Sequence, residues 1–270
     1  MDDRGIGVFD SGFGGLTVAR ALIDLLPDED LVYFGDTARY PYGPRSLSDV
    51  REFASQISRV LLDEHDVKMI IVACNTAAAA ALETLRFDLD VPVVGVVDPG
   101  VRAAVKATRN GRVGVIGTVG AIGSGAYQRA AESLRAPVEL TSLACPGFVE
   151  LVEEGETGGA RAVELISRRL APLVDAGIDT LLLGCTHYPF LARTISDAVG
   201  RDVVLVSSAD ETAFEVRAIL EETGLGRRSG AGDGKGRHRF ISSGDVEWFR
   251  ELGGRLLGPE LDYVEQWTWG

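Results

Sequence analysis

At 270 residues, with 46% hydrophobic and 25% charged residues, the chain can bury a large core in one or two domains. These proportions exclude a disordered, collagen-like or disulfide-scaffold protein. A formal net charge of −13 repels phosphates, so nucleic acid and anionic membrane are poor partners, and an acidic small molecule would need strong local donors.

Short β-branched runs recur along the chain at 6–9 (IGVF), 31–34 (LVYF), 68–74 (KMIIVAC), 91–97 (VPVVGVV), 112–117 (RVGVIG), 179–185 (DTLLLGC) and 202–207 (DVVLVS). Apolar on both faces, they predict buried parallel strands. Helical stretches with periodic apolar residues lie between them, at Leu16 to Leu26, Ser46 to Leu62 and Ala160 to Leu173. The alternation predicts a doubly wound α/β fold. Glycine, 33 residues against a usual ~7%, concentrates just after apolar runs, at DSGFGG, GTVGAIGSG and LLLGCT. Parallel sheets make their tight strand-to-helix turns at such places. Gly224 to Arg239 is Gly-rich and basic and predicts a mobile loop; lacking GxxxxGK[ST], it is not a phosphate loop. The final thirty residues predict a strand, an Asp-capped helix and a strand that return to complete the first half.

Three cysteines, Cys74, Cys145 and Cys185, form no CxxC pair, which fits a reducing compartment. The opening MDDRGIGVFD has no basic-then-apolar pattern, and no apolar run approaches the roughly eighteen residues of a membrane span. A soluble, cytoplasmic protein is expected.

An internal repeat runs through the chain. GVFDS at Gly7 matches GVIGT at Gly114, ACNT around Cys74 matches GCTH around Cys185, and VPVVGVV matches DVVLVSS at Val93 and Val203. Three matches in one order at nearly one offset predict two similar doubly wound α/β domains, residues 1–97 with 208–270 and residues 98–207, facing each other across a single cleft. Ligands of such sheets bind beyond the carboxyl ends of the strands. Asp10, Ser11, Cys74, Asn75, Thr76, Cys185, Thr186 and His187 are then expected to line the cleft.

A free cysteine most often behaves as a small core hydrophobe, and that reading stands for Cys145. Cys74 and Cys185 differ, because each ends an apolar strand and is followed at once by polar groups, Asn75-Thr76 and Thr186-His187. A thiol there, near backbone N–H groups, can be held partly as thiolate. A redox pair would need disulfide reach, and a Cys–His hydrolase would leave one thiol idle. A two-base racemase needs two groups on opposite faces of one carbon, and it alone uses both the repeat and the pairing. His187 either satisfies a backbone carbonyl or orients and protonates cleft groups. Asp10 either caps the following helix or serves the cleft, and the glycines of DSGFGG favour close approach of a ligand to the backbone. Ser11, Asn75, Thr76 and Thr186 supply neutral donors for a carboxylate, and Tyr42-Gly43 offers a hydroxyl and a backbone N–H.

GVFDSGFGGLTV, YFGDTARYPYG, ACNTA, GVIGT and LGCTHYP, in this order, closely resemble the glutamate racemases of the aspartate/glutamate racemase superfamily, from about residue 5 to about 223 and again at RFISSGD. The resemblance implies cofactor-independent, metal-free interconversion of L- and D-glutamate, supplying D-glutamate for peptidoglycan. It implies that Cys74 and Cys185 are the two acid/base thiols. Asp10-Ser11, Tyr42-Gly43, Asn75-Thr76 and Thr186-His187 would contact substrate. The family's assisting glutamate looks like Glu153 in CPGFVELVE, where Glu150 lies in the same pattern. A homodimer is also implied. Chemistry adds that one thiol must be pushed down in pKa and the other kept protonated, with Asp10 and His187 as the groups to do it. The rivals are a sibling racemase acting on aspartate or a hydantoin, and a two-lobed amino-acid-binding protein.

Overall fold

The computed structural model of the chain describes residues 1–227 and 235–270. The first run of elements is β1 (Ile6–Asp10), α1 (Leu16–Leu25), β2 (Leu31–Gly35), α2 (Leu47–Asp63), β3 (Met69–Val72), α3 (Asn75–Asp88) and β4 (Val93–Gly95). α4 (Val97–Ala107) leads into β5 (Arg112–Gly117), α5 (Val119–Gly123), α6 (Ala126–Ser133), β6 (Glu139–Ala144), α7 (Phe148–Glu153), α8 (Ala160–Asp175), β7 (Thr180–Gly184), α9 (Ala192–Val199) and β8 (Val204–Ser207). α10 (Ser208–Thr223) then crosses back to β9 (His238–Ser242), α11 (Val246–Leu257) and β10 (Glu265–Gln266).

Two all-parallel sheets result, ordered β10-β9-β2-β1-β3-β4 and β6-β5-β7-β8. The order β2-β1-β3-β4 in the first is reproduced strand for strand by β6-β5-β7-β8 in the second, so the sequence repeat is a repeat of topology. From β1 the chain steps one way to β2, then back across to β3 and β4. Right-handed crossovers therefore put α1 on one face of the first sheet and α2 and α3 on the other. The packing agrees: α2 lies against α3, and α1 against α10 and α11. β1, β2, β3 and β7 are buried at every position, as runs apolar on both faces require.

The boundaries follow local chemistry. Ser46 caps α2 by accepting the Asp49 N–H, and Asp245 caps α11 by accepting the Trp248 N–H at 3.0 Å. The 91–97 run is a strand only over β4, because Val97 already opens α4. β3 and β7 stop short of their cysteines, at Val72 and Gly184. β6 was not expected; it is a half-exposed edge strand containing Thr141 and Ser142. The C-terminal segment returns to the first sheet as strand, capped helix and strand. Within the expected 224–239 loop, β9 already begins at His238, and residues 228–234 lie outside the described residues. Among the described residues, no helix is long and apolar enough to cross a membrane.

Candidate active site

The loops that follow the carboxyl ends of the strands in both sheets enclose one cavity of about 370 Å³. Ser11, Tyr42, Gly43, Cys74, Asn75, Thr76, Glu153, Cys185, Thr186 and His187 all line it. Asp10 does not. Fully buried, it accepts the Gly12 N–H at 3.1 Å on one carboxylate oxygen and has no partner on the other. α1 begins only at Leu16 behind Gly15, so Asp10 is not a helix cap either. Its charge acts on Cys74, and it stands beside that thiol rather than on the cavity wall.

Several expected donors are already engaged. The Tyr42 hydroxyl donates to Asp36, whose buried carboxylate also accepts from Ser243 Oγ at 2.7 Å, Trp269 Nε1 at 2.9 Å and Arg39 Nε at 2.6 Å. This hub ties the 36–43 wall to the C-terminal segment. The Asn75 amide nitrogen donates to the Tyr127 hydroxyl at 3.1 Å, which in turn donates to the Gly184 carbonyl at 3.1 Å, stitching the two halves together. Thr76 Oγ1 pairs with Thr118 Oγ1 at 2.9 Å. The N-terminal end of α3 is open to an anion, since its N–H groups have no helical partner and the helix dipole favours negative charge. Asn75 Oδ1, buried and without a partner, remains as an acceptor. The DSGFGG glycines make room for protein: Tyr40 packs on Gly12, and Thr186 and His187 of the other half pack on Gly14.

The electrostatics overturn one expectation. Burial pushes the Cys74 thiol up to about 12, with the Asp10 charge adding to the rise and the N–H groups of Ala77 and Ser11 opposing it. Burial also pushes Cys185 up. Neither thiol is therefore held as thiolate, and Asp10 raises rather than lowers its neighbour. The cause is compositional: among the described residues no lysine or arginine lines the cavity, and burial pushes His187 down to about 4, leaving it neutral. Cys74 Sγ lies 3.8 Å from Ser11 Oγ and beside Asp10, while Cys185 Sγ lies 3.8 Å from His187 Nδ1.

A neutral buried histidine makes a testable contribution to stability. A His whose folded pKa lies below its unfolded value near 6.5 stabilises the fold above that pH and loses the effect as pH falls through about 4. Between pH 7 and pH 4, the wild type should lose about 3 kcal/mol more than His187→Asn. The other two histidines and Asp10 titrate alike in both proteins and cancel. Urea unfolding midpoints across that range are the measurement, and equal pH slopes would contradict the assignment.

Sequence reasoning missed Tyr40 and Trp248, which also line the cavity, and Glu150 of the glutamate pattern lines it together with Glu153. Tyr40 stands in the same RYPYG run as Tyr42, but no periodicity told which tyrosine faces the cleft. Cys145 is buried in the second half's core, as expected, yet its residue also borders the cavity.

The model of the Asp/Glu/hydantoin racemase family matches residues 7–215. The chain is 52% identical over 266 residues to the glutamate racemase of Acidothermus cellulolyticus, covering 98% of this chain and 99% of that one. Its structure is similar to that of glutamate racemase isoform RacE1 from Bacillus anthracis, with a TM-score of 0.92 and 41% identity, covering 100% of this chain and 98% of the other. It is also similar to the Francisella tularensis glutamate racemase in complex with D-glutamate, with a TM-score of 0.91 and 34% identity, covering 99% and 98%. With a family match over most of its length and a relative half identical from end to end, the chain belongs to the Asp/Glu/hydantoin racemase family and, as a racemase, is an isomerase.

Proposed function

We propose that this chain interconverts L- and D-glutamate by a two-base mechanism, without cofactor or metal, in which Cys74 and Cys185 exchange the roles of thiolate and thiol. The observation that carries the reading is the presence of two buried thiols, at repeat-equivalent strand ends, on the wall of one cavity. One thiolate removes the Cα proton from one face, and the opposite thiol delivers its own proton to the other. In the family's assignment Cys74 takes the proton from D-glutamate and Cys185 from L-glutamate. Relatives named as glutamate racemases, one of them solved with D-glutamate, support glutamate over its siblings.

Charge explains the resting state. With no cationic side chain among the described residues that line it, the cavity has nothing to hold a thiolate until the substrate brings its own ammonium. Asp10 can then accept the proton of Cys74, in a pair that stays singly negative, and His187 that of Cys185, a neutral pair becoming an ion pair, both inside a desolvated site. The start of α3 stabilises charge building on the α-carboxylate. Asn75 Oδ1 is an acceptor for the ammonium.

We further read the chain as two units, residues 1–97 with 208–270 and 98–207, because the strands of the two sheets come from these spans. The resemblance extends the reading to a cytoplasmic homodimer that supplies D-glutamate for peptidoglycan. One experiment tests the chemistry: incubate EDTA-dialysed protein with L-glutamate in D₂O and follow optical rotation and Cα deuteration. Rotation should fall to zero while deuterium enters Cα, with no added pyridoxal phosphate, nucleotide or metal. Activity lost on dialysis and restored by metal would contradict the mechanism, and turnover of aspartate alone would move the substrate to the sibling racemases.

A further inference from the structure

Tyr40 reaches from the loop after β2 to groups of the other half. Its hydroxyl bonds Glu153, on α7, and lies 3.3 Å from His187 Nε2, while His187 Nδ1 faces Cys185 Sγ at 3.8 Å and Thr186 Oγ1 at 3.5 Å. We propose that Tyr40 is a positioning residue that, held by Glu153, fixes His187 as the Nε2–H tautomer and so leaves Nδ1 bare to take the Cys185 thiol proton. The proposal rests on the two-thiol reading above.

A carboxylate only accepts, so the single Tyr40 O–H proton goes to Glu153. The phenol oxygen then has only lone pairs to offer His187, and it accepts from Nε2–H. A neutral imidazole carries one N–H, so Nδ1 must be the unprotonated nitrogen. Both groups facing Nδ1, a thiol and a hydroxyl, have protons to donate to it. Burial keeps Tyr40 protonated and His187 neutral, and Glu153 is taken as the carboxylate, whose pKa burial raises and the bond from Tyr40 lowers. When Cys185 ionises, its S–H bond breaks and an Nδ1–H bond forms. The resulting imidazolium keeps its Nε2–H on Tyr40, with the Glu153 anion behind it. When Cys185 next takes a proton from L-glutamate, its S–H bond is restored. Glu153 therefore acts at one remove, through Tyr40, and never touches the reacting carbon.

The tautomer can be read directly by ¹⁵N NMR of histidine-labelled protein. Of three histidines, His187 is the signal missing from the His187→Asn variant. The wild type should show a protonated Nε2 and a bare Nδ1, and Tyr40→Phe, which keeps the ring, should shift His187 toward the Nδ1–H form. In the same variants, Tyr40→Phe should lower kcat/KM about tenfold, the scale of groups that orient a working imidazole. In a His187→Asn background it should change the rate by less than about twofold, because residues acting through one another are not additive. An Nδ1–H tautomer in the wild type, or losses that multiply in the double variant, would overturn the proposal. If the wild type exchanges no Cα proton in D₂O, the racemase reading has failed instead, and the tautomer measurement still stands.

Discussion

Cys74→Ala and Cys185→Ala should each lower glutamate racemisation by about three orders of magnitude or more, while Cys145→Ala should cost less than about tenfold. A positioned acid or base contributes roughly 10²–10⁴. Here neither thiol has a substitute: the cavity offers no lysine, and His187 is buried and neutral behind Cys185. Removing one thiol leaves one face of the α-carbon with no proton acceptor for one enantiomer and no donor to complete inversion of the other. Because the equilibrium constant of a racemisation is 1, each variant must lose kcat/KM equally in both directions. A direction-dependent loss in kcat/KM would therefore signal contamination, not mechanism. Cys145 borders the same cavity, but it follows β6, the edge strand, and its thiol faces the Leu143 carbonyl at 3.8 Å. Polarimetry from each enantiomer measures all three variants. Near-wild-type activity in either of the first two would end the two-thiol reading, and a large loss in the third would add a thiol to it.

The repeat made most of this legible. Matches at Gly7 and Gly114, Cys74 and Cys185, and Val93 and Val203 located the equivalent strands, and topology fixed which loops must share a cleft. What escaped was decided by partners distant in sequence. β6 carries Thr141 and Ser142 on a half-exposed edge, so it lacks the apolar run that betrays a central strand. Tyr42 carries the hydroxyl that sequence reasoning offered to substrate, yet Asp36 takes it, while Tyr40, two residues earlier, reaches the cavity's polar groups. Asn75 was read as a donor, but Tyr127 claims one of its two amide N–H groups, and the buried acceptor Oδ1 is left without a partner. The missing cation was the more consequential miss. Sequence showed two cysteines beside polar residues but not that both would be desolvated with no positive charge nearby, which makes the resting pair two thiols rather than a thiol and a thiolate.

Gly14→Ala should lower kcat/KM by about 100-fold while leaving the protein folded. A Cβ at Gly14 would sit 2.4 Å from Thr186 Oγ1 and 2.7 Å from His187 Cε1 and Nδ1, closer than the 3.0 Å that real Cβ atoms keep. The conflict is steric and not conformational, since Gly14 is not among the glycines with positive φ. The imidazole cannot swing away freely. His187 is fixed edge-on by Phe13, with ring centroids 4.9 Å apart, and by the Tyr40 hydroxyl on its far nitrogen. Relief therefore has to come from moving the imidazole off Cys185 or from parting the halves at the cavity. A displacement near 1 Å at a reacting group costs roughly 10² in rate. The sheets are untouched, because the clash lies between a loop of one half and a loop of the other, so the fold itself should survive. Gly254→Ala is the matched control. It lies within α11 with nothing near its would-be Cβ, so it should stabilise the helix by about 0.5–1 kcal/mol and leave turnover unchanged. Steady-state rates and urea midpoints for both variants are the measurement. A Gly14→Ala protein within threefold of wild type would mean that the contact between the halves at His187 is not needed for proton transfer.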